Sequence, residues 1–236
     1  MKYIVLYPDL NMFVFLSALA CGGVDLVFLV DTSRSIWGLD FKRQIDFVDK
    51  VVTKFDIGPA KHQTRVGVIL YAQTFWVRFY LRSHLDLPSL RVAIKRIPHK
   101  YGSKTRTEKA LKFLKTHMFK KWYGGRKNAT HVAILISDGR SQDRKATRKE
   151  ARKAKEAGIK IFTIGVGKRA DLEELKEIAS DPDDYFVFHV GDFKALDSLN
   201  YKLPTSTCVG KYNYYIMHLN LLAIFGFYLS RLSKQI

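Results

Sequence analysis

The chain has 236 residues, of which 47% are hydrophobic and 26% are charged. These fractions are typical of one globular domain, alone or with appendages, and they argue against disordered, collagen-like and multi-span membrane proteins. Forty lysines and arginines against 22 aspartates and glutamates give a formal net charge of +18, which favours a polyanionic partner. Cys21 and Cys208 are the only cysteines, so a disulfide-rich miniprotein and a four-cysteine zinc site are excluded.

Residues 1–20 are predicted to be a signal peptide. Lys2 precedes a short apolar core at residues 12–19, and the small residues Ala18 and Ala20 fit a cleavage site. The core is too short to cross a bilayer, which takes about 20 residues. A buried N-terminal strand is the alternative interpretation. A lipid-modified Cys21 is disfavoured because Ala18 stands where that motif prefers leucine.

Short apolar, β-branched runs predict strands buried on both faces at residues 24–30, 66–71, 131–137 and 159–166. Residues 74–80 alternate instead, as in a half-exposed edge or hairpin strand. There, Phe75, Val77 and Phe79 are expected on one face and Trp76, Arg78 and Tyr80 on the other.

Apolar residues at helical spacing predict amphipathic helices between the strands. The predicted stripes are Phe41, Ile45, Val48, Val52 and Phe55; Leu90, Ala93, Ile94 and Ile97; Ala110, Leu111, Leu114 and Met118 with Thr107 as the cap; and the segments 146–157 and 172–179. The alternation predicts an α/β domain over residues 24–199 with a doubly wound, mostly parallel sheet, one antiparallel edge strand and flanking helices.

Oxygen-bearing side chains stand where the predicted strands end. Asp31, Ser33 and Ser35 follow the first strand, Asp138 follows the fourth, and Thr105 lies just before the third helix. Ligands of such sheets bind at the carboxyl ends of the strands, so these groups are expected to converge. Two carboxylates and three hydroxyls suit Mg²⁺, with Mn²⁺ or Ca²⁺ as alternatives. The other interpretation is that Asp31, Ser33 and Ser35 only cap the helix that follows them.

The pattern Asp31-x-Ser33-x-Ser35, with Thr105 and Asp138, resembles the metal-ion-dependent adhesion site of von Willebrand factor type A domains. The resemblance covers residue 24 to about residue 199. The strings at residues 24–35, 56–59, 64–68 and 137–143 are similar to those of A domains in matrilins and related collagens. The resemblance therefore implies a Rossmann-like fold that carries a metal-dependent adhesion site.

In that family Ser33 and Ser35 would bind the cation directly, Thr105 and Asp138 directly or through water, and Asp31 would hold waters and orient the serines. A carboxylate of the partner would fill the remaining position. The resemblance thus implies a secreted, non-enzymatic extracellular matrix adhesion module, with collagens or other matrix components as partners. One departure from the family is the pair of basic residues, Lys104 and Arg106, that flank Thr105.

An enzymatic alternative is a phosphatase of the haloacid dehalogenase type, in which Asp31 would be the nucleophile. That chemistry needs a second carboxylate two residues later, where this chain has Ser33. No paired nucleophile and base is visible in the sequence either. Adhesion is therefore preferred over catalysis.

A second functional alternative is a strongly basic helix that would bind a sulfated glycosaminoglycan such as heparin. Four-residue spacing places its cations in two adjacent stripes, although a merely solvated face would have the same spacing. The seven residues are Arg144, Lys145, Arg148, Lys149, Arg152, Lys153 and Lys155. No nucleic acid partner is expected, because no nucleic-acid-binding motif is present. The sequence Asn128-Ala129-Thr130 is a glycosylation acceptor.

Cys21 and Cys208 bracket the predicted domain. In an oxidising compartment they would pair, since domain termini often lie close together, and the alternative is two unrelated thiols. The family resemblance favours pairing, because the bracketing cysteines close the domain there. Residues 212–229 form an apolar segment interrupted by polar side chains. A membrane span, an interfacial helix, a processed anchor signal and a gene-model artefact all stay open for it.

Overall fold

The computed structural model describes residues 23–199, in which six strands form one sheet. The strands are β1 (Val24–Asp31), β2 (Thr64–Tyr71), β3 (Phe75–Phe79), β4 (Thr130–Ser137), β5 (Lys160–Val166) and β6 (Val187–Val190). Their order is β3-β2-β1-β4-β5-β6, and every neighbouring pair is parallel except β2 with β3. The predicted mostly parallel sheet with one antiparallel edge strand is confirmed.

Helices cover both faces of this sheet. They are α1 (Gly38–Val52), α2 (Leu87–Lys95), α3 (Thr107–Phe113), α4 (Arg144–Glu156), α5 (Leu172–Ile178) and α6 (Asp183–Phe186). A π-helical turn (Leu114–Met118) continues α3, and short 3₁₀ helices span Lys121–Tyr123 and Ala195–Leu199.

Successive residues of β1 face opposite helical layers, which is why the whole strand is apolar. Phe28 and Val30 belong to one buried cluster with residues of α1 and α2. Val27 and Leu29 belong to a second cluster with residues of α3, α4 and α5. The central strands are thus buried on both faces, as their composition predicted.

The prediction for the edge strand was wrong in one detail. Phe79 packs in the cluster of α1 and α2, whereas Phe75 and Val77 pack against the other cluster. A register shift between Val68 and Ile69 of β2 accounts for the difference. A bulge adds one residue to a strand, so the side chains beyond it change faces.

Other differences concern element boundaries. Strand β6 was not predicted, because four residues give too short a period-two pattern to recognise. Thr107 is the first residue of α3, and Arg106 occupies the N-cap position without a side-chain cap bond. Phe55 lies beyond the end of α1 but still packs against the core.

Several predicted features fall outside the described residues: the signal peptide 1–20, Cys21, Cys208 and the apolar segment 212–229. Within residues 23–199, no helix has both the length and the hydropathy needed to cross a bilayer.

An ion pair joins α1 to α2 on the surface of the helical layer. Both carboxylate oxygens of the largely buried Asp49 accept hydrogen bonds from Arg91, from Nε at 2.8 Å and from Nη2 at 2.9 Å. Lys95 Nζ lies 3.6 Å from the same carboxylate. Burial alone would raise the pKa of Asp49, but the hydrogen bonds and charges of Arg91 and Lys95 outweigh burial and lower it.

The Asp49 pair should make a pH-dependent contribution to stability. Because the folded-state pKa of Asp49 lies below its ordinary value of 3.8, this contribution is complete above that value and is lost as the pH falls through the lowered one. Asp49→Asn should therefore reduce the free energy of unfolding by about 1 kcal/mol at pH 7, and by progressively less in more acidic buffer. Urea denaturation at a series of pH values measures this difference.

Asp46→Asn, on the same helix, is the matched control, because Asp46 forms no ion pair within residues 23–199. If the two variants were equally stable at pH 7, Asp49 would contribute no stabilising ion pair.

Candidate metal centre

The predicted site lies at the carboxyl edge of the sheet, where three loops meet. Asp31 is the last residue of β1, and Asp138 directly follows β4. The backbone of Ser33 forms a bridge with Gly102, in the loop that leads to Thr105. The sheet topology therefore brings together segments that are far apart in the chain.

Asp31 is fully buried and held by hydrogen bonds to both carboxylate oxygens. The backbone N–H of Ser33 donates to Oδ1 at 2.8 Å, and the Ser137 hydroxyl donates to Oδ2 at 3.0 Å. Burial raises the pKa of Asp31 to about 7, the bonds from Ser33 oppose this rise, and the negative charge of Asp138 adds to it. A buried carboxylate whose charged form is disfavoured in this way is suited to a neighbouring cation.

The two serine hydroxyls and Asp138 form a connected cluster of oxygens. Ser33 Oγ and Ser35 Oγ are 3.1 Å apart, and Ser35 donates to Asp138 Oδ1 at 2.8 Å. Ser33 and Asp138 are buried, while Ser35 is partly exposed. The buried residues Asp31, Ser33 and Asp138 therefore fix the inner side of the cluster, and its outer side is open to solvent at Ser35.

Thr105 is partly buried in the loop that begins beside Ser33 at Gly102. Its carbonyl accepts from the backbone N–H of Gln142 at 2.7 Å, and the next residue, Arg106, donates its N–H to the Ala72 carbonyl at 2.8 Å. These bonds hold the Thr105 loop between the loop after β4 and the hairpin of β2 and β3. Arg106 also forms an ion pair with Glu108, so one of the two basic neighbours of Thr105 is neutralised.

Three further residues contact the site, and no role there was predicted for any of them. Ser137 supports Asp31, and the side-chain amide of Gln44, from α1, donates to the Asp31 carbonyl at 3.2 Å. Arg169 Nη2, from the loop after β5, donates to Asp138 Oδ2 at 3.0 Å. Ser137 could have been found from its position at the end of a buried strand. Nothing in the sequence relates Arg169 to Asp138.

The donor set fits a hard divalent cation. No three His, Cys, Asp or Glu side chains within residues 23–199 gather where they could share a metal ion. The two carboxylates of this cluster would therefore need the hydroxyl oxygens beside them to complete a ligand set. Few anionic ligands and several neutral oxygens are a combination that Mg²⁺ and Mn²⁺ accept while they keep water molecules or take another oxygen ligand.

Several cations of α4 are paired with groups of the same or the neighbouring helix, although Arg144, Lys145, Arg148, Lys149 and Arg152 are all exposed. Arg144 and Arg148 pair with Glu177 of α5, Lys153 pairs with Glu150, and Lys155 donates to the Ala179 carbonyl. Lys145, Lys149 and Arg152 are exposed, and Arg152 lies 3.6 Å from Glu156. Asn128 is exposed in the turn before β4.

Residues 25–202 match the von Willebrand factor type A domain family, so the match covers most of the chain and includes every residue of the predicted metal centre. The chain belongs to this family. The vWA assignment agrees with the sheet order and with the position of the oxygen cluster.

The vWA domain is also similar to segments of extracellular matrix proteins. It is 37% identical to matrilin-1 of Gallus gallus over 188 residues and 35% identical to matrilin-3 of Homo sapiens over 189 residues, each covering 78% of this chain and 37% of the relative. It is 37% identical to the collagen alpha-1(XII) chain of Notophthalmus viridescens over 184 residues, which covers 78% of this chain and 19% of that protein. The chain thus spans less than two-fifths of the length of these relatives.

Solved structures share the fold. Proximal thread matrix protein 1 from the mussel byssus superposes with a TM-score of 0.74 at 25% identity, over 79% of this chain and 48% of that one. A second structure of the same mussel protein has zinc in its metal-ion-dependent adhesion site (MIDAS) motif, and it superposes with a TM-score of 0.75 at 24% identity. The manganese-loaded TRAP protein of Plasmodium vivax has a TM-score of 0.63 at 19% identity and covers 77% of this chain and 74% of that one.

Proposed function

We propose that this vWA domain is an extracellular matrix adhesion module that binds a carboxylate of a protein partner through a divalent cation, with Mg²⁺ as the natural ion. The observation that carries the proposal is the oxygen cluster of Asp31, Ser33, Ser35 and Asp138, with Thr105 in the loop that begins beside Ser33. Its solvent-open side, at Ser35, is where a ligand oxygen would enter. Collagens or other matrix proteins are the proposed partners.

Each residue of the cluster has a separate task in this proposal. Ser33, Ser35 and Thr105 supply neutral oxygens, and the buried Asp138 supplies negative charge beside Ser35. Asp31, fixed by Ser33 and Ser137, orients the serine loop from below. The bound cation would supply Lewis acidity toward an incoming carboxylate, and that acidity survives because few ligands of the protein are anionic.

The relatives support this proposal without identifying the ligand. Matrilins and collagen XII are proteins of the extracellular matrix, and the mussel and Plasmodium structures hold zinc and manganese respectively. Secretion by means of residues 1–20, a Cys21–Cys208 disulfide and glycosylation at Asn128 remain predictions that accompany the extracellular assignment. No catalytic role is proposed.

The adhesion proposal is tested by chelation. Binding of the secreted chain to an immobilised matrix extract should fall at least about tenfold when EDTA replaces Mg²⁺, should return when Mg²⁺ or Mn²⁺ is restored, and should change little in moderate salt. Binding that resists EDTA and disappears in salt would contradict the metal-dependent function and favour binding by surface charge.

Charge-driven binding to a sulfated glycosaminoglycan is the second candidate function, and one observation favours it. Burial alone would raise the pKa of Glu150 on α4. The nearby charges outweigh burial and lower this pKa. They belong to Lys153 of the same helix and to Lys115 and Lys112 of the neighbouring helical segment. The basic surface therefore extends beyond α4 to its neighbour. Lys145 and Lys149 form no ion pair within residues 23–199, so both remain available to a polyanion.

The heparin candidate is tested by two variants with the same change in charge. Replacing the unpaired cations Lys145 and Lys149 with Gln should lower the salt concentration at which the protein elutes from heparin, and should reduce the slope of log affinity against log salt by roughly two. Replacing Arg144 and Arg148 with Gln should have a smaller effect, because both already pair with Glu177. Equal elution of both variants and the wild type would contradict heparin binding by α4.

A further inference from the structure

Three large apolar side chains are exposed near the proposed metal centre, two at the start of α1 and one in the loop before α3. Trp37, Leu39 and Tyr101 have 77%, 60% and 70% of their surface accessible to solvent. Single exposed hydrophobic residues are ordinary, but a contiguous group with a polar rim is typical of an interaction site. We call these three residues the apolar shelf.

The Tyr101 side chain lies beside the backbone that carries the other two residues of the shelf. Trp37 and Leu39 flank Gly38 at the start of α1, two and four residues after Ser35. The Tyr101 hydroxyl lies 3.6 Å from the point that a β-carbon on Gly38 would occupy. The tyrosine, which comes from the loop before α3, therefore reaches the backbone between the other two side chains.

The Tyr101 ring packs against the His99 ring at an interplanar angle of 44°. Its centroid lies 3.9 Å from that of His99, and the His99 ring stacks on Phe41 of α1 at 4.4 Å with an interplanar angle of 8°. A preorganised aromatic surface loses little conformational entropy when a ligand binds.

The same loop connects the shelf to the metal centre. The Thr32 hydroxyl donates to the Lys100 carbonyl at 2.6 Å, and the backbone N–H of Gly102 donates to the Thr32 carbonyl at 3.2 Å. Thr32 lies between Asp31 and Ser33. The position of Tyr101 relative to the oxygen cluster is therefore fixed.

The charges around the shelf favour an acidic occupant. Arg34 and Lys104 are exposed in the loops after β1 and before α3, and neither forms an ion pair with another described residue. A second copy of this chain would bring another net charge of +18 to a basic surface, which like-charge repulsion disfavours.

We infer that the apolar shelf binds a bulky apolar side chain that neighbours the metal-bound carboxylate in an acidic segment of the partner protein. This inference rests on the proposed function of the metal centre and adds a sequence preference to it. The carboxylate would satisfy the cation, while burial of the neighbouring side chain against Trp37 and Tyr101 would discriminate among the many acidic segments of a matrix.

The test uses immobilised nonapeptides with one central Glu, flanked in one series by Phe and in the other by Ser. In Mg²⁺, the wild-type chain should bind the Phe series about tenfold more tightly than the Ser series. Trp37→Ser/Tyr101→Ser should lose this preference but keep the Mg²⁺-dependent binding of the Ser series and an unchanged calorimetric titration with Mn²⁺. Trp122→Ser is the control, since Trp122 is 74% exposed but lies in the 3₁₀ helix after α3.

The outcomes separate the two proposals. Mg²⁺-dependent binding with equal affinity for both series, or a preference that survives the double variant, would overturn the shelf alone. Binding of both series that persists in EDTA, or no binding of either series, would overturn the carboxylate function and the shelf with it. Light scattering tests whether the shelf binds a second copy of the chain instead. If the wild type dimerised and the double variant did not, the inference about the partner's side chain would be wrong.

Discussion

Replacing Asp138 with Ala is expected to abolish divalent cation binding, and with it metal-dependent adhesion, while the fold is retained. Asp138 is one of two carboxylates in the oxygen cluster and the one that joins Ser35 to the site. Its loss removes half of the negative charge of the cluster and the hydrogen-bond acceptor that holds Ser35. Calorimetric titration with Mn²⁺ at pH 8, where Asp31 with its pKa of about 7 is mostly ionised, should give no heat of binding for the variant.

The fold should survive this change, because Asp138 lies in a loop after β4 and its partners Ser35 and Arg169 can turn to solvent. The thermal unfolding midpoint in EDTA should therefore remain close to that of the wild type. Asp184→Ala, at an exposed carboxylate of α6, is the control and should titrate like the wild type. Equal Mn²⁺ titration of Asp138→Ala and wild type would show that the cluster is not a metal site.

A second large effect is expected at the opposite end of β1, where a buried ion pair joins three segments. The Asp25 carboxylate, which is fully buried, accepts from Arg126 Nε at 2.8 Å and from the Arg126 backbone N–H at 2.6 Å. The same guanidinium donates to the carbonyls of Ala60 and Val24, each at 2.9 Å. Arg126 thus connects β1 with the loops that lead into β2 and β4.

Arg126→Met should lower the free energy of unfolding by about 3–5 kcal/mol at a pH where His131, 3.8 Å from Asp25, is neutral, because it leaves the Asp25 carboxylate buried without its arginine partner. Urea denaturation measures the loss. Adding Asp25→Asn to this variant should restore part of the lost free energy of unfolding, because a neutral amide needs no counter-ion. The amide oxygen can still accept a hydrogen bond from the backbone N–H of residue 126.

The exposed residue Arg96 provides the control, and Arg96→Met should cost well under 1 kcal/mol. Metal binding should be unaffected in all three variants, because the ion pair and the oxygen cluster lie at opposite ends of β1. A loss below about 1 kcal/mol for Arg126→Met would mean that Asp25 is not held by this pair.

The basic helix illustrates where sequence reasoning stops. The sequence correctly predicted a helix over residues 146–157, and the structure shows which of its residues are buried, namely Thr147, Ala151 and Ala154. The spacing could not reveal that Glu177, almost 30 residues beyond Arg148, would neutralise part of the charged face. Charge patterns describe one helix at a time, whereas ion pairing depends on which other helix packs beside it.

More of the proposed metal centre than of the basic helix could be predicted from the sequence, because most of its residues directly follow strands. Apolar composition identified β1 and β4, and parallel strands place their carboxyl ends at one edge, so Asp31, Ser33, Ser35 and Asp138 had to approach one another. Ser137 Oγ, Gln44 and Arg169 were assigned to the site only from the structure. Their roles depend on side-chain directions and on loop paths, which no periodic pattern records.

The sequence by itself determined the layered α/β architecture and the oxygen cluster of the proposed metal centre, since both follow from local composition and from strand order. The tertiary structure decided the bulge that turns Phe79 to the other face, the sixth strand and the contact between Arg169 and Asp138. It also decided that Tyr101 lies over Gly38 beside Trp37 and Leu39. These features arise from packing between segments distant in the chain, and their free energies do not depend on the local sequence alone.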